Sequence, residues 1–351
     1  MLSPAAFREL VSGRRHGLAA ELARWGLRAT EIPYALAVGW RNRRYDRGKA
    51  EVRRVGVPVI SVGNLTLGGT GKTPMVEWIA RWYDGHRVRV TVVSRGYGAE
   101  AGSVNDEALE LKQKLPGVPH LQNPDRVAAA ELAIAQFGSQ LIVLDDAFQH
   151  RRIARDLDIV LVDALEPFGY GHVFPRGTLR EPVRGLRRAD AVVLSRADML
   201  PQHDRRRIEE EVRRYAPNAV WAEAIHAPLN LLSASGRQRP IDDLRGQPVA
   251  AFCGLGNPAA FRHTLESCGY EVIATREFAD HYHYSREDVA SLAIWADKLD
   301  VAAVLCSHKD LVKLDIDQLG ARPLWAVAIG LKLTRGQEAL ESRLDAILPR
   351  S

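Results

Sequence analysis

The sequence predicts an α/β protein: a P-loop NTPase-type parallel-sheet domain joined to a second, smaller α/β domain. Three observations carry that reading. A glycine-rich loop lies between an apolar run and an amphipathic run, within residues 57–82. Short apolar runs then alternate with helical stretches, the pattern of a parallel sheet covered on both faces. At 351 residues the chain is long enough to bury two cores.

The loop comes first because the rest is arranged around it. Residues 58–74 read PVISVGNLTLGGTGKTP. Val57, Val59, Ile60 and Val62 read as a buried strand, and Met75 to Trp82 as a helix. Between them Gly68, Gly69 and Gly71 let backbone N–H groups close around phosphate oxygens, and the helix start adds its positive end. Lys72 is placed to reach the outer phosphates and the Thr73 hydroxyl to ligate Mg²⁺. Thr66 stands where the usual pattern has glycine. A glycine-rich turn with a chance Lys-Thr is the plainer alternative, and the flanking strand and helix count against it. The MinD-like ATPases carry a signature Lys before the two glycines, where this chain has Leu67.

Hydrophobic content of 46% and charged content of 26% are ordinary for a globular chain. Cys253, Cys268 and Cys306 are scattered, without metal-ligand spacing, and their odd number argues against a disulfide framework. The net charge of +5 is unevenly placed: residues 1–57 hold twelve Lys/Arg against five Asp/Glu. In that arm Trp25, Leu27, Ile32, Tyr34, Leu36, Val38 and Trp40 mix with arginines, a composition suited to an anionic membrane surface. A helix pair packed on the first domain is the alternative. No module for nucleic acid accompanies the charge, and no protein partner is expected.

In chain order, residues 88–93 read as a strand ending in Ser94-Arg95, and residues 105–115 as a helix. An alanine-rich helix spans 123–137. Strands follow at 141–144, 159–162 and 191–194, with a Gly/Pro-rich loop over 167–182 and a charged helix over 203–215. Ligands in such sheets bind beyond the carboxyl ends of the strands, where Lys72, Arg95 and the pair Asp145-Asp146 stand. Pro228, Ser233, Ser235, Gly236 and Pro240 mark a linker. The expected organisation is therefore an arm (1–56), a phosphate-loop domain (57–225), a linker (226–240) and a smaller domain (241–351). In the smaller domain, strands at 248–253, 270–274, 302–306 and 324–328 alternate with helices ending near Cys268 and spanning 285–299. Gly254-Leu255-Gly256 reads as a tight strand-to-helix turn.

Several residues have the chemistry for a site. Asp145 or Asp146, at the end of an apolar strand, is placed to orient Mg²⁺ opposite Thr73; strand-end turn acids are the alternative. Gln149 and His150 follow on the same rim. Asp106 is either a proton acceptor or a first-turn helix acid. Asp280 beside His281 is a proton-transfer dyad, part of a metal site made by His281 and His283, or a surface turn. Arg95, Arg126 and Arg180 are candidate phosphate clamps.

VGNLTLGGTGKTP, SRGYG, NDE, DRVAAA, LDDAFQHRR, GTLREP, GLGNPAAF, FADH and KDLVKL occur in this order. Together they resemble the tetraacyldisaccharide 4′-kinases, the lipid A kinases of Gram-negative bacteria, over residues 10–345. The resemblance implies transfer of the γ-phosphate of ATP to the 4′-hydroxyl of a tetraacylated disaccharide 1-phosphate. It implies work at the cytoplasmic face of the inner membrane, as a peripheral protein, with a β-ribbon between the domains. It implies that Thr66, Leu67, Gly68, Gly69, Thr70, Gly71, Lys72 and Thr73 form the ATP site. It further implies that Asp106 is the catalytic base, helped by Asp280 and His281, and that Asp145, Asp146, Gln149 and Glu181 form the Mg²⁺ and nucleotide environment. Three positions depart from the family pattern: Ala147 for Gly, Tyr282 for a frequent second His, and His308 for Glu. A MinD-like nucleotide-switched ATPase remains the rival expectation, disfavoured by Leu67.

Overall fold

The computed structural model describes residues 4–68, 70–96, 111, 114–255, 258–279 and 282–348. Among these, the chain divides into two compact units. Met1–Gly98, Gly117–Ile225 and Leu331–Ser351 form the first, and Ala99–Pro116 with His226–Gly330 the second.

In the first unit, strands β1 (Val59–Asn64), β2 (Val90–Ser94), β3 (His120–Gln122), β4 (Leu141–Asp145), β5 (Leu157–Asp163), β6 (Ala191–Ser195) and the first part of β7 (Val220–Leu232) form a sheet. Its order is β7-β6-β5-β1-β4-β2-β3, and every neighbouring pair is parallel. Helix α3 (Lys72–Gly85) follows β1 directly, and α4 (Arg126–Phe137) and α5 (Gln202–Tyr215) also cover the sheet. β1, β4, β5 and β6 are buried along their whole length, which is why they read as unbroken apolar runs. Side chains that alternate along them feed separate cores on the two faces. Leu65, Phe148, Val160 and Val192 pack in one, and Val59, Val93, Ile142 and Leu144 in the other.

The arm is helical. α1 (Pro4–Val11) and the 29-residue α2 (Leu18–Asp46) precede β1 and belong to the first unit. At the other end, α9 (Gln337–Asp345) returns to this unit, burying Leu340 and Leu344. Tyr83 of α3 donates to the Leu344 carbonyl at 2.8 Å. The last twenty-one residues thus group with the phosphate-loop unit, where the sequence had placed them in the smaller domain.

In the second unit, β9 (Pro248–Cys253), β10 (Glu271–Glu277), β11 (Ala303–Ser307) and the first part of β13 (Arg322–Arg335) are parallel in the order β10-β9-β11-β13. The short β12 (Gln318–Leu319) pairs antiparallel with β13. Helices α6 (Pro258–Ser267) and α7 (Arg286–Asp297) cover opposite faces, and α8 (His308–Leu314) follows β11. The expected linker is not irregular. Residues 230–232 of β7 pair antiparallel with β8 (Gln238–Pro240), so the proline- and serine-rich stretch is a hairpin. Its turn residues explain its composition, which hides the strands from local pattern; only the family resemblance implies a β-ribbon here. The helix expected at 105–115 lies almost wholly outside the described residues, as do Gly256 and Asn257 of the GLGNP turn.

Gly63 fixes how closely the two central strand ends approach. A Cβ there would lie 2.6 Å from Phe148 Cβ and 2.7 Å from its backbone nitrogen. Gly63→Ala is expected to cost about 1–3 kcal/mol through overpacking against backbone, read as a lower urea midpoint with an unchanged slope.

Candidate active site

The register of the parallel sheet builds the site. Val62 of β1 lies beside Asp145 of β4, so the chain leaves β1 into the glycine loop next to the two acids. Gly71, with φ +83°, caps α3. No side chain caps this helix start, and its first turn holds no acid. Its positive end is therefore uncompensated and suited to an anion. Thr70 is 3% exposed, and its hydroxyl has no hydrogen-bond partner among the described residues. A buried hydroxyl at the phosphate loop fits a nucleotide oxygen.

The loop is held open by a distant segment. The Leu67 N–H donates to the Thr178 carbonyl at 2.7 Å, Thr66 bridges Leu179, and the Arg180 N–H donates to the Leu65 carbonyl at 2.6 Å. The GTLREP motif is thus a short antiparallel partner of the phosphate loop. It delivers Arg180, whose Nη1 donates to both Asp146 oxygens at 2.7 and 2.9 Å. Lys72 Nζ stands 3.6 Å from the same carboxylate and 3.3 Å from Asn64 Oδ1. Asp146 has φ +50°, a left-handed conformation that Asp tolerates. Burial alone would raise its carboxyl, but Lys72, Arg180 and Arg126 outweigh burial and hold it below the ordinary range.

Asn64, fully buried, ties the parts together. Its Nδ2 donates to the Thr66 carbonyl at 2.8 Å, and its own carbonyl accepts from Gln149 Nε2 at 2.8 Å. Only its place at the strand end hinted at this. Gln149 also donates to Glu181 at 3.2 Å. Glu181, expected in the Mg²⁺ environment, is fully buried. Its two oxygens accept from Arg188 at 2.8 and 3.0 Å, and one also accepts from Asn42 Nδ2 at 2.8 Å. Arg188, Gln149 and Asn42 together place two donors on each carboxylate oxygen. Thr73, in the first turn of α3, and Asp145, 6% exposed at the end of β4, are hard oxygen donors on adjoining elements. One or two such ligands plus phosphate oxygens are what Mg²⁺ takes in nucleotide sites. Arg126 is 2% exposed at the start of α4. Its guanidinium pKa is lowered by burial and by Arg95, against the pull of the two acids. Gly69, Asp106, Asp280 and His281 lie outside the described residues.

The chain matches the family model "Tetraacyldisaccharide-1-P 4'-kinase" over residues 23–349. The chain belongs to this family. A tetraacyldisaccharide 4′-kinase of an Anaeromyxobacter strain is 39% identical, covering 95% of this chain and 93% of the relative. A tetraacyldisaccharide 4′-kinase of Halothermothrix orenii is 37% identical over 82% of each. Among solved structures, "apo" form LpxK from Aquifex aeolicus in complex with ATP is 30% identical. It superposes with a TM-score of 0.72, covering 93% of this chain and 99% of that one.

In this member of the kinase family, the second unit shows how the family departures are accommodated. Tyr282 OH donates to Asp288 at 3.2 Å, and Lys313 Nζ donates to the Tyr282 carbonyl at 3.1 Å. Asp310, fully buried, accepts from the Gly254 N–H, Tyr284 OH and Ser307 Oγ at 3.0, 2.9 and 2.6 Å. The sequence motif KDLVKL gave no hint of this role, because its partners come from three other segments. His308 is buried at the start of α8.

The α2 helix of this family member buries Ala20 and Gly39, half-buries Leu27, Ala35 and Val38, and is tied to the unit by polar contacts. Glu31 accepts from the Val173 N–H at 2.8 Å, and Asp46 pairs with Arg151 at 2.9 Å. Leu18, Leu22, Trp25, Ile32, Leu36 and Trp40 are all more than half exposed. Their spacing lines one outer stripe of the helix.

His150, on the same rim, is pushed down to about 4 by burial, with Arg126 and Arg155 adding to it. Its folded pKa lies below the unfolded value, so protons bind the unfolded chain preferentially between about pH 6.5 and 4. Stability should fall as pH drops through that window. In His150→Gln the decline should be shallower by on the order of 1 kcal/mol after solvent screening, measured by urea midpoints across pH.

Proposed function

We infer that this chain is an ATP-dependent tetraacyldisaccharide 4′-kinase, which phosphorylates the 4′-hydroxyl of a tetraacyldisaccharide 1-phosphate in lipid A biosynthesis. The observation that carries this is the union of family membership with an assembled phosphate loop in which Lys72, Arg180 and Asp146 share one ionic contact. ATP supplies the phosphoryl group and Mg²⁺ the neutralising charge. Thr73 and Asp145 would hold the metal. Lys72 and Arg180 neutralise phosphate oxygens, and the α3 N-terminus orients them, which is the bulk of catalysis in phosphoryl transfer. Gly68, Gly69, Thr70 and Gly71 close the backbone around the phosphates. Asp106 accepts the sugar hydroxyl proton, and Asp280 with His281 supports that acceptor.

A kinase assay with labelled ATP and the disaccharide lipid tests the reading. Label should move to lipid. Lys72→Ala should lower turnover by roughly two orders of magnitude or more. Asp106→Ala should lower kcat far more than it weakens ATP binding. Label released only as free phosphate would favour a nucleotide-switched ATPase instead, and normal turnover in both variants would remove the assignment of these residues.

We further propose that the protein works peripherally at the cytoplasmic face of the inner membrane, through α2. Supporting this is the outer stripe of α2, where Leu18, Leu22, Trp25, Ile32, Leu36 and Trp40 are exposed, with Arg41, Arg43, Arg44 and Arg47 at the end of the helix. Arg44 lies over the Trp40 ring at 5.0 Å. No helix among the described residues is long and apolar enough to cross a membrane. Such a stripe suits a helix lying in the headgroup plane, and each nearby arginine adds about 1 kcal/mol on an anionic surface. Replacing Trp25, Leu36 and Trp40 by Ser should abolish sedimentation with anionic liposomes and raise the KM for vesicle-borne lipid. Turnover of detergent-dispersed lipid should change little. Unaltered sedimentation would mean that another surface meets the bilayer.

A further inference from the structure

Arg8 of α1 precedes the segment matched by the family model, yet it reaches the phosphate loop. A Cβ on Gly68 would lie 2.8 Å from Arg8 Nη2. Gly68 has φ +116°, open to glycine and strained for other residues, and the guanidinium sits against this bare backbone. The helix that carries Arg8 is fixed at both sides of it. Leu10 and Val11 are buried, Arg176 donates to the Val11 carbonyl at 3.0 Å, and the Phe7 and Phe174 rings lie 6.2 Å apart. Phe174 and Arg176 belong to the same segment that goes on to pair with the phosphate loop.

The charge balance distinguishes Arg8 from the other cations of the site. Lys72 and Arg180 both face the Asp146 carboxylate. Arg8 forms no ion pair among the described residues, and its side chain is exposed at the rim. The acid on that side, Glu166, is taken up by Tyr170 and Thr178. A guanidinium held against a phosphate-binding loop without a carboxylate of its own is matched by a phosphate group, to which it can donate two hydrogen bonds.

We propose that Arg8 is a phosphate-binding residue, through which the N-terminal arm completes the rim of the phosphate loop. The proposal rests on the kinase reading, which supplies two sources for the phosphate: the outer phosphates of the nucleotide and the 1-phosphate of the lipid acceptor. The full-length protein is compared with Arg8→Ala and Arg8→Lys. Calorimetric titration with ATPγS and with ADP, without lipid, reads the first source. Steady-state kinetics with acceptor lipid carrying or lacking its 1-phosphate reads the second.

If the nucleotide is the source, Arg8→Ala should weaken ATPγS roughly tenfold and ADP less. If the lipid phosphate is the source, ATPγS affinity should hold while the KM for the 1-phosphorylated acceptor rises, erasing its advantage over the acceptor without it. Arg8→Lys should recover part of either loss. An Arg8→Ala variant with wild-type affinity and KM in both arms, whatever its melting temperature, overturns the proposal. Lys72→Ala is run alongside: if it too is without effect, the kinase reading has failed rather than the role of Arg8 alone.

Discussion

The carboxylate of Asp146 is the contact on which the site depends. It brings two cations, Lys72 and Arg180, to within 3.6 Å of one group. Without it their like charges would push the loop and the GTLREP segment apart. With it, the two strands of backbone around Leu65–Leu67 and Thr178–Arg180 can pair and hold the loop in shape before any phosphate arrives. The cost is that Asp146 sits in a left-handed backbone conformation. That preorganisation is what a phosphoryl-transfer site needs, since its work is positioning and charge neutralisation.

A second constraint links the arm to the site. α2 turns Glu31, Asn42 and Asp46 inward, and Asn42 reaches Glu181, which also holds Gln149. Gln149 in turn holds the carbonyl of Asn64, the neighbour of Lys72. The polar face of a helix that carries the apolar stripe outside is therefore hydrogen-bonded, residue by residue, to the phosphate site. Glu181 is the meeting point, which accounts for its complete burial against Arg188: a buried carboxylate needs a charge partner and filled lone pairs.

Much of the fold was legible. Strands buried on both faces, such as Leu141–Asp145 and Leu157–Asp163, declare themselves as apolar runs. The glycine loop with Lys72 announces a strand before it and a helix after it. The hairpin at 220–240 was not legible in local pattern, because its turn residues resemble a linker, and only the family resemblance implied a β-ribbon there; α9 was missed because its nine residues show only two buried leucines. The apolar residues of α2 were visible, but not which way they point; a helix packed on its protein would ordinarily turn them inward.

The sequence by itself determined the fold class, the phosphate loop and the chemistry available at the strand ends, because these depend on local pattern: burial period, glycine spacing and the end of a strand. Tertiary structure alone decided which groups meet. Arg180 reaches Asp146 across thirty-four residues, Asn42 reaches Glu181 across 139, and Arg8 reaches Gly68 from a helix at the other end of the arm. Charge and hydrogen-bond complementarity between segments so far apart leaves no periodic trace in either one; the register of β1 with β4, the pairing of the loop with Thr178–Arg180 and the docking of the arm bring them together.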